Sequence, residues 1–280
     1  MDSAIRHYYA ARPEPFGAFG DFTTAPEISQ MFGEVIGAWA AQMWFQLGQP
    51  PRLSLIELGP GRGTLMADML RATARVEGFH AALHIVLVEA SPALRTRQAE
   101  ALGGRSPQWR ENLPLSENNP ALVIGNEFLD ALPVHQIIYR SGEWRERAVA
   151  VEENGVFAFT DLAVPPALLE HIPPGLPSPK EGDILELAPA RNEYVRQTLR
   201  LIKPNGGAAL FLDYGYDRTA YGDSMQALKR HQFTSPLSEP GGADLTAHVD
   251  FAALGKVAAE GPLRRGCFCS IWAWRSGPRR

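Results

Sequence analysis

With 280 residues, 45% of them hydrophobic, the chain is long enough to bury one large α/β core, with or without an inserted unit. A net charge of -4 carries no general polyanion-binding signature, although it leaves room for a local basic patch, so nucleic acid is not the first partner to consider. Cys267 and Cys269 are too few and too close for a disulfide framework or a four-ligand zinc site, and no stretch approaches the roughly 18 apolar residues that span a bilayer; with no apolar signal segment in Met1–Arg6, cytoplasm or an organelle matrix is expected.

Residues up to Phe19 are rich in Tyr, Pro and Gly and read as an arm or lead-in. Thr24 and Glu27 then have capping-box spacing, with Pro26 tolerated in the first turn, so Glu27 reads as a cap before a catalyst. Ile28, Met31, Phe32, Val35, Trp39 and Met43 recur at helical spacing up to Gly48 and Pro50-Pro51. Leu53–Leu58 is a short apolar strand carrying Glu57, and Thr64–Thr73 is a helix with Leu65, Met66, Met69 and Leu70 on one face. Between them Gly59, Gly61 and Gly63 form a turn that lets a ligand approach backbone N–H groups at a helix N-terminus. Their alternate spacing differs from the G-x-G-x-x-G of dinucleotide sites.

A second buried strand, Leu83–Val88, ends at Glu89, where a carboxylate can accept both hydroxyls of a ribose. Ser91-Pro92 caps a helix through Ala101. A short third strand follows, and Glu111 stands past its end, either against an adenine or as a solvated loop acid. Ala121–Gly125 is a fourth buried strand that delivers Asn126 and Glu127 to the carboxyl end of the sheet, where open α/β sheets bind their ligands. Asp130, close behind, serves equally well as a turn cap.

From His135 the pattern changes to alternating strands, His135–Tyr139, Trp144–Val151 and Val156–Phe159, separated by Ser141-Gly142 and Asn154-Gly155, which predicts an inserted antiparallel β-meander. Such an insertion is a lid, an acceptor platform or a structural edge. After a proline-rich return, Ile184–Leu187 and a helix from Pro189 to Ile202 rejoin the core. Ala208–Leu212 is a fifth buried strand ending in Asp213 and Tyr214, which face an acceptor or serve as caps. His231 and His248 stand without further ligands at metal spacing, so no metal site is expected.

The E-x-G-x-G-x-G pattern of Glu57 to Gly63 resembles the first motif of S-adenosylmethionine (SAM) dependent methyltransferases. Together with Gly20–Gln30, Asn126–Pro133 and Asp244–Phe251 it is similar to the MidA family of class I SAM-dependent methyltransferases, over roughly Tyr8 to Leu254. The resemblance implies a Rossmann-like sheet with flanking helices, SAM as cofactor, and protein arginine methylation, since mitochondrial members modify a subunit of respiratory complex I and support its assembly. With the element pattern it gives a division into an N-terminal arm and helix (1–50), a SAM-binding core (51–134), the inserted meander or acceptor region (135–183), the rest of the core (184–254) and a divergent or truncated tail (255–280).

On this reading Gly59, Gly61 and Gly63 pack against the methionine part of SAM, Glu57 orders the loop or the amino group, Glu89 holds the ribose, and Glu111 and Asn126 complete the cofactor site. Glu127 is the first catalytic candidate, with Asp130 and Asp213 behind it. The chain departs from the family in starting close to Tyr8, where members carry another helix, and after Leu254, where the closing hairpin of the sheet is not recognisable. Two rival functions stay open: a small-molecule or RNA methyltransferase, and a non-catalytic assembly protein or inactive copy.

Overall fold

The computed structural model describes residues 29–229, 231–238 and 240–260, with Met1 and Pro26, and the backbone of residues 267–274. The Tyr8-Tyr9 arm, the capping-box residues Thr24 and Glu27, and the side chains of Cys267 and Cys269 lie outside the described residues.

Helix α1 (Gln30–Gln46) leads into β1 (Leu53–Leu58), α2 (Thr64–Ala72), the short α3 (Phe79–Ala82), β2 (Leu83–Val88), α4 (Pro92–Ala101), β3 (Gln108–Arg110) and β4 (Ala121–Asn126). Next come β5 (His135–Arg140), β6 (Glu143–Val151), β7 (Phe157–Ala163), α5 (Pro166–Leu169) and β8 (Ile184–Leu187). The chain then forms α6 (Pro189–Ile202), β9 (Gly207–Tyr216), β10 (Gln226–Lys229), β11 (Gln232–Thr234), β12 (Asp244–Thr246), β13 (Val249–Asp250), α7 (Phe251–Ala259) and β14 (Cys267–Trp274).

The central sheet runs β3-β2-β1-β4-β9, with β14 and β13 following one another along the outer edge of β9. All its described pairings are parallel, and its inner strands are buried on both faces, which is why β4 reads as an apolar run up to Asn126 and β1 as one interrupted only by Ser54 and Glu57. Alternate residues feed two cores. Leu53, Leu55, Leu87, Leu122 and Ile124 pack beneath α1 and α2, while Ile56, Leu58, Val86, Val123 and Phe211 pack with residues of α6 and α7. Where the sequence reading recognises no closing hairpin, β14 lies parallel to β9 over Gly207–Tyr214.

The meander forms as expected: Ser141 and Gly142 both have positive φ, the conformation of a two-residue hairpin turn that follows strand twist. Its sheet is β7-β6-β5-β8, so β8 closes the insertion and does not return to the central sheet. A further three-stranded sheet, β11-β10-β12, has no counterpart in the sequence reading.

Helix α1 corrects a second expectation. Met31 and Val35, read as part of its buried face, are 68% and 61% exposed, and Gly33, Ile36, Gly37, Ala40, Ala41 and Trp44 are buried in their place. Close approach decides this. A Cβ on Gly37 would stand 2.8 Å from the carbonyl oxygen of Met69 in α2, so the helices meet through small residues whose signal is weaker than that of the large apolar ones.

Candidate active site

The turn after β1 is built from backbone conformations that side chains rarely adopt. Gly59, Gly61 and Gly63 have φ of 60°, 54° and 85°, and Gly63 N–H donates to the Pro60 carbonyl at 2.8 Å before α2 begins. A Cβ on Gly59 would meet the ring of Phe128 at 3.0 Å, and one on Gly63 would meet Cα of Gln98 at 3.2 Å. Glu57, one residue before the strand ends, is 3% exposed, and its Oε2 has no hydrogen-bond partner among the described residues. Burial pushes its carboxyl up to about 8.

By register Glu57 is level with Leu87 and Ile124. Glu89 and Asn126 therefore stand two residues further along the neighbouring strands, with the same side-chain parity as Glu57. Three of the sequence candidates thus meet at the carboxyl end of one face. Glu89 Oε1 accepts from the Ser91 N–H (2.8 Å) and Oε2 from Gln98 Nε2 (3.2 Å), while Arg95 grips the Glu89 carbonyl through Nε (2.9 Å) and Nη2 (2.6 Å). Burial holds the carboxyl above its ordinary range, offset by those donors. Glu111 is exposed, one residue past β3.

Gln98, unremarked in the sequence, organises this corner. Fully buried, it donates to the Gly61 carbonyl (2.8 Å) and to Glu89, and it accepts from Trp109 Nε1 (2.8 Å). One amide thus joins the glycine turn, the end of β2 and β3. A polar residue in the polar segment Pro92–Ala101 has no pattern that sets it apart.

Past β4, Glu127 takes a left-handed conformation (φ 46°), and its N–H donates to the Leu212 carbonyl at 2.9 Å. A non-glycine residue held there stores strain, which concentrates at functional sites. Its side chain is half-buried beside Phe128, the residue that covers Gly59.

Asp213 has a different setting from the one its sequence position suggests. β9 continues to Tyr216, so Asp213 is buried within a strand instead of standing at its end. Its Oδ2 accepts from the N–H groups of Leu129 (2.8 Å) and Asp130 (3.1 Å), and its Oδ1 from that of Tyr214 (2.8 Å). Burial first, and then the neighbouring Asp130, raise its pKa well above the usual carboxylate range. Burial also pushes Asp130 up to about 6, against the opposing pull of Arg191.

Arg191 is the other residue missed from sequence. It is 2% exposed and donates to the carbonyls of His248 (2.6 Å), Ala247 (2.8 Å) and Asp130 (3.2 Å). A cation in the first turn of a helix opposes the helix dipole, and that oddity was legible. His248 N–H in turn donates to Ser224 Oγ (2.9 Å), and Ser224 and Gln136 both bond Glu186 of β8, linking the meander to the same segment. No group of three or more His, Cys, Asp or Glu is arranged to hold a metal among the described residues.

The parallel sheet, the glycine turn and acids at successive strand ends define a nucleotide-type methyltransferase site. A family model described as "Putative S-adenosyl-L-methionine-dependent methyltransferase" matches residues 35–266, and the chain belongs to that family: it is a SAM-dependent methyltransferase. Among its relatives, "Protein arginine methyltransferase NDUFAF7, mitochondrial" of Danio rerio is 34% identical over 93% of this chain and 68% of its own length. The protein of that name in Homo sapiens is 32% identical over 96% of this chain and 66% of its own. The chain thus spans about two thirds of these relatives. A crystal structure from Burkholderia thailandensis bound to S-adenosyl-homocysteine is 29% identical with a TM-score of 0.75, covering 90% of this chain and 67% of that one.

The residues fit such a cofactor. Glu57 Oε2 is a buried acceptor without a partner among the described residues, the turn has no side chains at its three glycines, and the Glu89 carboxylate keeps acceptor capacity beyond its Ser91, Ala90 and Gln98 donors.

Proposed function

We propose that the chain is a protein arginine N-methyltransferase acting on an arginine exposed in a partner protein. Glu127 carries this reading: a carboxylate in a strained backbone conformation, next to Asn126 at the carboxyl end of β4 and beside the residue that covers the glycine turn. The names of the relatives support the same acceptor. A respiratory complex I subunit is the finer proposal that follows from the family resemblance, with a mitochondrial matrix location in a eukaryotic source and a bacterial cytoplasm otherwise.

Bound SAM would supply a methyl group on a sulfonium, open to in-line displacement. Gly59, Gly61 and Gly63 would leave room for its methionine portion, Glu57 would receive the ammonium, Glu89 would accept from the ribose hydroxyls, and Asn126 and Glu111 would border the site. The acceptor poses its own demand, because a guanidinium is charged, delocalised and a weak nucleophile. Glu127 orients it and favours the lone pair on one nitrogen, so that positioning and electrostatics lower the barrier. Asp213 and Asp130 act one step back. Asp213 fixes the loop that bears Glu127 through two backbone N–H groups, and the Asp130 carbonyl anchors that loop to Ala247 and Arg191.

The test is methyl transfer from methyl-labelled SAM to arginine-containing proteins of a cell extract, followed by amino-acid analysis. Label recovered as methylarginine supports the proposal; label recovered only in RNA, a small molecule or another amino acid overturns it.

A further inference from the structure

The connection from β3 to β4, residues 111–120, has no helix, although crossovers between parallel strands are usually helical. Leu113 anchors it in the core, Glu117 Oε2 accepts from Ser54 Oγ (2.7 Å), and the Glu117 carbonyl accepts from Asn205 Nδ2 (2.6 Å). Where a helix would cover the amino ends of β1, β2 and β3, an open cleft of about 540 Å³ remains. Its Arg52 end lies roughly 17 Å along β1 from Glu57, at about 3.3 Å per residue, while Arg110, level with Val88 by register, has the opposite side-chain parity to Glu57 and Glu89.

Its lining is rich in donors. Arg52 and Arg110 both face it, and neither has an ion pair or hydrogen bond from its side chain among the described residues. By contrast Arg71, Arg140, Arg147, Arg196 and Arg200 are all paired with carboxylates. His84 Nε2 donates to Gln108 Oε1 (3.2 Å), which leaves the Gln108 amide hydrogens for a ligand, and Asn118 and Asn119 add further amides. The lining also holds one carboxylate, Glu117, which accepts from Ser54 through one oxygen, so the two arginines leave the cleft with a net positive charge. Register puts Ser54 opposite His84 and Val86 opposite Gln108, so these polar side chains continue the face that Ile56 and Val86 make apolar higher up.

We propose that this cleft is a second ligand site, separate from the methyltransferase crevice, for a small phosphate-bearing molecule. Two guanidinium groups and several amides in one cleft supply the positive charge and donors that a phosphate-bearing molecule takes, and the volume is that of a small-molecule pocket. The site does not depend on the arginine reading of the methyl acceptor.

The test is calorimetric titration of the whole chain with inorganic phosphate at low ionic strength, against chloride at matched ionic strength. Saturable binding that weakens at least tenfold in both Arg52→Gln and Arg110→Gln, while SAM affinity stays unchanged, is the expected result. Both side chains are exposed, so the variants should fold. Heats indistinguishable from chloride, or phosphate affinity retained in both variants, would overturn the proposal.

Discussion

Arg191 Nη2 donates to the backbone carbonyl of Asp130 at 3.2 Å, and that carbonyl also accepts from the Ala247 N–H at 3.1 Å. The loop after β4 and the segment joining β12 to β13 therefore share one acceptor, with a buried guanidinium behind it. Replacing Arg191 with Met removes a donor from the carbonyls of His248, Ala247 and Asp130, of which Asp130 keeps the Ala247 N–H, and removes the charge that restrains the Asp130 carboxyl. We expect a loss of roughly 3–5 kcal/mol in denaturant unfolding, the range for breaking a buried charged interaction, with Arg191→Lys intermediate. The Asp130 carboxyl, already raised to about 6, should rise further in Arg191→Met. Unchanged stability would show that the clamp is not needed.

Glu57 predicts a pH dependence of definite sign. Its pKa in the folded chain is raised from 4.5 to about 8, so the native state favours the protonated form. The stability it contributes is complete below about pH 4.5 and is lost as pH rises through about 8. Glu57→Gln should lack that loss. Below pH 8, binding an ammonium group should expel the Glu57 proton, so SAM affinity should rise towards pH 8 in the wild type and be weaker and flatter in Glu57→Gln. Calorimetry in buffers of different ionisation enthalpy reads the released proton, and equal proton release in both proteins would remove Glu57 from the cofactor site.

Glu127→Gln separates binding from chemistry. SAM affinity should stay within about twofold of wild type, while methyl transfer falls by about 10²-fold or more, the scale on which positioned acids and electrostatic groups act. Single-turnover assays with labelled SAM measure it, and wild-type turnover would reject the assignment.

Gly63→Ala tests the turn. Its φ of 85° and a Cβ 3.2 Å from Cα of Gln98 mean that backbone, not a flexible side-chain tip, must move. We expect a stability loss of about 1–2 kcal/mol from the left-handed conformation and a SAM affinity lowered at least tenfold, as Gln98 is displaced from Gly61 and Glu89. A titration indistinguishable from wild type would place the ligand elsewhere.

The parts of this site that were legible in the sequence are those carried by short-range signals. Apolar runs gave β1, β2 and β4, their terminal residues named Glu57, Glu89, Asn126 and Glu127, and the glycine spacing marked the turn between β1 and α2. Ser91 does cap α4, accepting from the Leu94 N–H, as the Ser-Pro pair predicts. Only the tertiary structure decided what depends on distant partners. Gln98 and Arg191 acquire their roles from backbone groups up to 61 positions away, which no local period encodes. The face of α1 turned on the space left by Gly33 and Gly37, and β8 changed sheets because its edge pairs with β5. Asp213 became a loop anchor because β9 runs on past it to meet β13. Hydrophobic period and turn chemistry are properties of neighbouring residues; the burial of a polar group, and hence its pKa and its partner, is a property of the packed chain.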